Sequence, residues 1–203
     1  AYALADFSEP HNAFVEHFGT RFPDYSPRRV LDLGCGPADI SIRFARAYPG
    51  CEVIGMDGAE AMLALGREAV KAAGMGSRIR LGRVHLPAKF PQREAFDTVI
   101  SNSLLHHLAN PGVLWDAMER ASGGKAAGFV MDLMRPDTER AAHELVDQYA
   151  GAEPEILKRD FYHSLRAAYR SDEIRAQLEQ AGLQDRLQIE IVSDRHVVVW
   201  GYL

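Results

Sequence analysis

Val30-Leu31-Asp32-Leu33-Gly34-Cys35-Gly36-Pro37 is a short apolar run, rich in β-formers, that ends on two glycines separated by one residue. Beyond it, Ile40, Ile42, Phe44 and Ala45 fall within the span of one helix. Strand, glycine turn and helix in that order make a βα unit. With no side chains at Gly34 and Gly36, backbone can approach a ligand at the strand's carboxyl end.

The same rhythm continues on either side. Val53 to Met56 reads as a second strand, closed by Asp57 and followed by an Ala-rich helix, Ala59 to Ala73, that stops at Gly74 and Gly76. Arg78 to Leu81 is short and polar-flanked, as an outer strand would be. Phe96 to Ser101 is the fourth strand, after which Asn110 is expected to cap a helix with Pro111 at its first position. Gly128 to Met131 is the fifth, with Asp132 near its end. Strands separated by helices predict a parallel sheet covered on both faces, because parallel neighbours need long crossovers. The C-terminus breaks the pattern. Leu187 to Val192 and Val197 to Tyr202 are joined by Ser193 to His196 alone, room for an antiparallel hairpin and no helix.

Upstream, Phe14, Val15, Phe18 and Phe22 share helical spacing across residues 10–22. Three helical stretches, Thr138 to Ala150, Glu155 to Tyr169 and Asp172 to Ala181, lie before the hairpin and exceed what one crossover requires. The excess is expected to cap a pocket. The 203 residues suit a single domain, with 1–28 as an N-terminal helix or lid and 137–171 as a helical cap. A hydrophobic fraction of 47% with 25% charged residues is that of an ordinary globular protein and excludes a disordered one. The 23 Lys and Arg against 28 Asp and Glu leave a formal charge of -5, without the broad basic field of a nucleic-acid binder. Cys35 and Cys51 are too few for a disulfide framework, and neither a leader pattern nor a membrane-length apolar run is present. No nucleic acid, no membrane and a cytoplasmic setting are expected. The scattered histidines lack metal-ligand spacing, so no metal is expected.

Spacing around the glycine turn selects the ligand. A dinucleotide fingerprint wants another glycine three residues after Gly36, where Asp39 stands, and a P-loop wants a following Gly-Lys-Ser/Thr that is absent. A phosphate-free, cationic nucleoside fits better, because Asp32 can approach an ammonium group and nothing nearby supplies strong anion binding. The sulfonium S-adenosylmethionine meets that description. Asp57, 21 residues after Gly36, is placed to accept both hydroxyls of a ribose.

Leu31-Asp32-Leu33-Gly34-Cys35-Gly36-Pro37, Gly55-Met56-Asp57 and Phe96-Asp97-Thr98-Val99-Ile100-Ser101-Asn102-Ser103-Leu104-Leu105-His106-His107-Leu108 together resemble the class I S-adenosylmethionine-dependent methyltransferases over nearly the whole chain. That resemblance implies a three-layer α/β/α Rossmann-like fold, with a seven-stranded, mostly parallel sheet, an antiparallel last strand and a C-terminal hairpin. It assigns Asp32, Gly34, Cys35 and Gly36 to the methionine end, Asp57 and Gly58 to the ribose side, Met62 to the adenine, and Asn102, Ser103 and Leu104 to the floor under the sulfonium. Many relatives carry an acidic residue after the third strand to read adenine. Here the segment is Gly82-Arg83-Val84-His85-Leu86-Pro87, so Val84 backbone or His85 takes that place. The product would be S-adenosyl-L-homocysteine.

Methyl transfer needs alignment more than a dedicated base, so no catalytic residue is compelled. His107 and Tyr162 are the candidates, and His106 reads as a cap or loop histidine satisfied by backbone. Tyr2, His107, Tyr162, His163 and Arg166 are expected to contact a small-molecule acceptor, Tyr2 with Phe7 as part of a lid. Tyr162 and His163 can each share a helix face with Arg166. Asp132 and Arg135 are expected either to border the pocket or to pair with one another. The alternatives are an RNA or protein methyltransferase, and a module that binds the nucleoside without transferring from it. Oligomeric state is not legible.

Overall fold

The computed structural model describes residues 8–88 and 96–203. Tyr2 and Phe7 fall outside them. An opening helix α1 (Ser8–Arg21) leads into alternating elements: β1 (Arg29–Leu33), α2 (Asp39–Ala47), β2 (Glu52–Asp57), α3 (Glu60–Ala72), β3 (Ile79–Arg83) and β4 (Thr98–Asn102). A short 3-10 turn, Leu105–His107, precedes α4 (Gly112–Ser122) and β5 (Ala127–Leu133). Three helices follow, α5 (Glu139–Ala150), α6 (Glu155–Ala167) and α7 (Ser171–Ala181), then β6 (Leu187–Ile191) and β7 (His196–Tyr202).

The strands form one sheet in the order β3-β2-β1-β4-β5-β7-β6. β1 pairs in parallel with β2 on one side and β4 on the other, placing Asp32 between Gly55 and Ile100. Connections leave β1 in opposite directions across the sheet, and the switch between β1 and β4 opens a crevice at their carboxyl ends. β7 inserts antiparallel between β5 and β6, closing the hairpin expected from the four-residue gap. β3 is an outer strand, as its polar flanks suggest.

Alternation along the strands sends side chains into two cores. Val30, Val53, Ile100 and Phe129 face α1, α2 and α3, while Leu31, Leu33, Val99 and Val130 face α4 and α7. Phe14 and Phe18 lie one turn apart in α1, and Phe22 just past its end continues the same aromatic stripe against the sheet. The Phe18 ring lies 4.8 Å from Phe44 and 5.6 Å from Phe129, edge to face in both cases. The helix therefore lies mainly on a face of the sheet, and its first turn meets the start of α2.

Pro111 already has helical dihedrals, φ -65° and ψ -24°, and the Asn110 side chain accepts the Gly112 N–H at 3.1 Å, so Asn110 caps the start of α4 as expected. One local expectation is corrected. α6 stops at Ala167, two residues before Tyr169, whose hydroxyl donates to the Leu108 carbonyl at 3.1 Å. α5 and α6 pack through Leu145, Val146, Ala150 and Leu165, and α6 also lies against the 3-10 turn. Thr138 starts α5 by accepting the Ala141 N–H at 3.0 Å. Thr138→Ala is expected to cost about 1 kcal/mol, read as a lower denaturant midpoint at unchanged slope. No helix among the described residues is long and apolar enough to cross a membrane.

Candidate functional site

Two left-handed glycines turn the chain out of β1. Gly34 has φ 75° and donates its N–H to the Met56 carbonyl at 2.8 Å, and Gly36 has φ 51°. A Cβ on Gly34 would stand 2.9 Å from the Leu104 Cβ, so Leu104 packs directly on the bend. A Cβ on Gly36 would meet nothing within 4 Å, which leaves that backbone facing open space. Ala38 is also left-handed, at φ 67° just before α2. An alanine there gives no sequence signal for that conformation.

Asp57 ties the bend to β2. One carboxylate oxygen accepts the Gly36 N–H at 2.9 Å and the other accepts the Ala59 N–H at 2.7 Å. Each oxygen has a further lone pair to offer. Asp32, only 1% exposed, accepts the Ser41 hydroxyl at 2.5 Å. Burial pushes its carboxyl up to about 7, the Ser41 bond opposes that shift, and the Asp57 charge adds to it. Cys35 is buried against Gly55, and burial raises its thiol far out of the reactive range.

Two more of the expected cofactor residues lie beside Asp57 and Gly58. Val84 donates its N–H to the Asp57 carbonyl at 3.0 Å, and the His85 ring lies over Gly58, where a Cβ would come within 2.8 Å of Nδ1. Met62 is partly buried in the first turn of α3. Asn102 donates to the Ser103 hydroxyl at 3.2 Å, and Ser103, at φ 54°, donates its N–H to the Met131 carbonyl at 2.9 Å.

Asp39 stands where a third glycine would be and is held from two sides, by His11 of α1 at 2.6 Å and Arg43 at 2.7 Å. Burial works to raise its carboxyl, but these two partners overcome that and take it down to about 2. An anion fixed there opposes a pyrophosphate.

His106 differs from its expected role. It is buried and bonded to a carboxylate, not to backbone: Nδ1 lies 2.5 Å from Asp132 Oδ1. Asp132 is thereby taken, and it does not pair with Arg135, which instead reaches Glu173 of α7. The His107 ring lies tilted against that of His106, with centroids 4.0 Å apart, and His107 is exposed. Partial desolvation, followed by the neighbouring His106, lowers its pKa. On α6, Tyr162 and Arg166 are both drawn toward α5. Tyr162 stacks on His143 at 4.5 Å, Arg166 pairs with Glu139 at 3.2 Å, and His163 is exposed. The shared polar face is thus largely spent on the neighbouring helix. His143, absent from the sequence reading, carries no local signal that would have singled it out.

Two grooves, of about 570 and 410 Å³, run along α3 with β3 and along α7 with β6, at the outer margins of the sheet and away from the glycine bend. Among the described residues no three His, Cys, Asp or Glu side chains are grouped to hold a metal.

A family model described as a methyltransferase domain matches residues 30–122, the stretch from β1 through α4. The trans-aconitate 2-methyltransferase of Variovorax paradoxus (strain S110) is 33% identical over 135 residues, 66% of this chain and 49% of that protein. Residues 30–122 thus carry a methyltransferase domain, set in a class I S-adenosylmethionine-dependent methyltransferase fold. A second relative of this chain, the malonyl-[acyl-carrier protein] O-methyltransferase of Legionella pneumophila, is 30% identical over 128 residues, 62% of this chain and 44% of that protein. The chain spans about half the length of the curated relatives it matches. Among solved structures, a SAM-dependent methyltransferase from Aquifex aeolicus superposes with TM-score 0.71 at 17% identity, over 99% of this chain and 95% of that one. At that identity the likeness speaks for the methyltransferase fold.

Proposed function

We propose that this chain transfers a methyl group from S-adenosylmethionine to a small-molecule acceptor. The observation that carries the reading is Asp57, whose two oxygens are fixed by Gly36 and Ala59 beside an open glycine bend. A carboxylate so held presents lone pairs to a vicinal diol without having to reorganise. The residues present also suit a cationic, phosphate-free ligand. Asp32 is a buried acid whose charge is costly until a cation arrives, and Asp39 repels phosphate.

Asp32, with the backbone of Gly34, Cys35 and Gly36, would hold the methionine end. Asp57 and Gly58 would hold the ribose, and Met62, Val84 and His85 would surround the adenine. Asn102, Ser103 and Leu104 would lie beneath the sulfur. When bound, the cofactor supplies a methyl carbon already activated by its sulfonium. The protein's share is to align an acceptor and exclude water. We assign the acceptor side to His107 and to α6, with Tyr162, His163 and Arg166, where that helix covers the 3-10 turn. A net charge of -5 favours a metabolite over RNA.

Incubation with radiolabelled S-adenosylmethionine and a metabolite pool should give a labelled small product. Calorimetric binding with no labelled product in any pool would replace the enzyme with a binding module, and label on RNA or protein would change the acceptor class. Tyr162→Phe is expected to keep cofactor affinity within about 0.5 kcal/mol while shifting acceptor KM. Wild-type acceptor kinetics in that variant would return Tyr162 to α5–α6 packing.

A further inference from the structure

The His106–Asp132 pair is not among the residues assigned above to the cofactor, yet it is held from several sides. Asp132, 2% exposed, accepts the Leu105 N–H at 2.8 Å and the Leu133 N–H at 2.7 Å, so both the 3-10 turn and β5 orient its carboxyl group. Oδ1 already accepts the Leu133 N–H, and a ring nitrogen 2.5 Å away calls for hydrogen on that nitrogen. The tautomer so fixed leaves the lone pair on Nε2. Among the described residues, the buried side-chain nitrogens and oxygens with no partner are Arg170 Nε and Trp200 Nε1. Nε2 of His106 bonds no described residue and is not one of these, so it keeps access to solvent. Two residues upstream, Leu104 rests on Gly34, so the turn that carries His106 starts from the floor assigned to the sulfur, and α6 packs over that turn.

A base oriented by a buried carboxylate, at the edge of the crevice, has the geometry that proton abstraction requires. We propose that His106 is the general base of this enzyme, that Asp132 positions it, and that the acceptor is therefore a small hydroxylated molecule. This rests on the methyl-transfer reading above. Nε2 takes the hydroxyl proton as the oxygen's freed pair forms the new O–C bond, with the C–S pair leaving on sulfur. The imidazolium that results faces Asp132 and returns its proton to water. An acceptor that is already an anion at neutral pH, such as a carboxylate, has no use for this base. Other ionisable groups near the pair are His107 on the same turn, Asp57 of β2 acting on His107, and His196 of β7 and Tyr169 after α6, both within electrostatic reach of Asp132.

The test has two arms. Nitrogen-15 NMR of the full chain, with and without S-adenosylhomocysteine, reads the His106 ring directly. The expected result at about pH 8 is a proton on Nδ1 and a bare Nε2, with Asp132→Asn admixing the other tautomer. A proton on Nε2 with Nδ1 bare would overturn the proposal. In the second arm, labelled S-adenosylmethionine is offered with a panel of phenols and alcohols and a matched panel of carboxylic acids. Methyl ethers are expected, and His106→Gln should lower kcat on them on the order of 10²- to 10⁴-fold, with calorimetric affinity for S-adenosylmethionine retained. No ether from any hydroxylated member, or label confined to carboxylic acids at rates indifferent to His106→Gln, would also overturn it. Failure of the wild-type chain to bind S-adenosylmethionine would refute the methyl-transfer reading instead, and the NMR arm would still decide the dyad.

Discussion

Asp57→Ala is expected to weaken S-adenosylmethionine binding by about 1.5 to 3 kcal/mol, roughly 10- to 150-fold. Two effects add. The substitution removes the charged acceptor for the ribose hydroxyls, and it releases the Gly36 and Ala59 N–H groups that pin the bend to β2. Asp57→Asn keeps one acceptor oxygen and should fall between wild type and Asp57→Ala. Isothermal titration of the three proteins separates the contributions. Equal affinity in Asp57→Ala and wild type would remove this side chain from the site.

The second large effect concerns pH. In the ligand-free protein, burial holds the Asp32 proton up to about 7, against an ordinary value of 3.8. A protonated Asp32 cannot attract an ammonium, so affinity should drop about tenfold for each pH unit below that point and level off above it. Asp32→Asn should bind more weakly at high pH and show a flatter profile, which isolates this carboxyl from His106 and His107. The sign for the fold itself is opposite. Between 3.8 and about 7 the unfolded chain has released the proton while the folded chain still binds it, so this group withdraws stability from the ligand-free protein as pH rises through that window. Added S-adenosylmethionine should restore it, seen as a ligand-induced rise in Tm that is larger at pH 8 than at pH 6. Equal rises at the two pH values would contradict the role given to Asp32.

How far the sequence carries the account depends on the range of the interactions involved. Strand and helix positions were legible because the short, β-rich apolar run at Val30 to Leu33 and the four-residue recurrence of Phe14, Phe18 and Phe22 are local patterns that burial enforces. The reversed last strand was legible because four residues, Ser193 to His196, admit a hairpin and no crossover. Gly34, Gly36 and Asp57 could be named because backbone conformation and strand-end position restrict residue type. The pairings of His106 with Asp132, 26 residues apart, and of His11 with Asp39, 28 residues apart, have no such local signature. They arise where parallel strand ends and the first turn of α1 converge, which spacing along the chain does not reveal. Tyr162 illustrates the same limit: its helical spacing from Arg166 was right, but which neighbour that face meets was set by α5.

A crystal structure of the protein soaked with S-adenosylhomocysteine tests the central claim most directly. The ligand should lie at the carboxyl ends of β1, β2 and β4, with its ribose hydroxyls on Asp57 and its amino group toward Asp32. The same nucleoside bound at another surface, or a nicotinamide dinucleotide occupying the glycine bend, would contradict it.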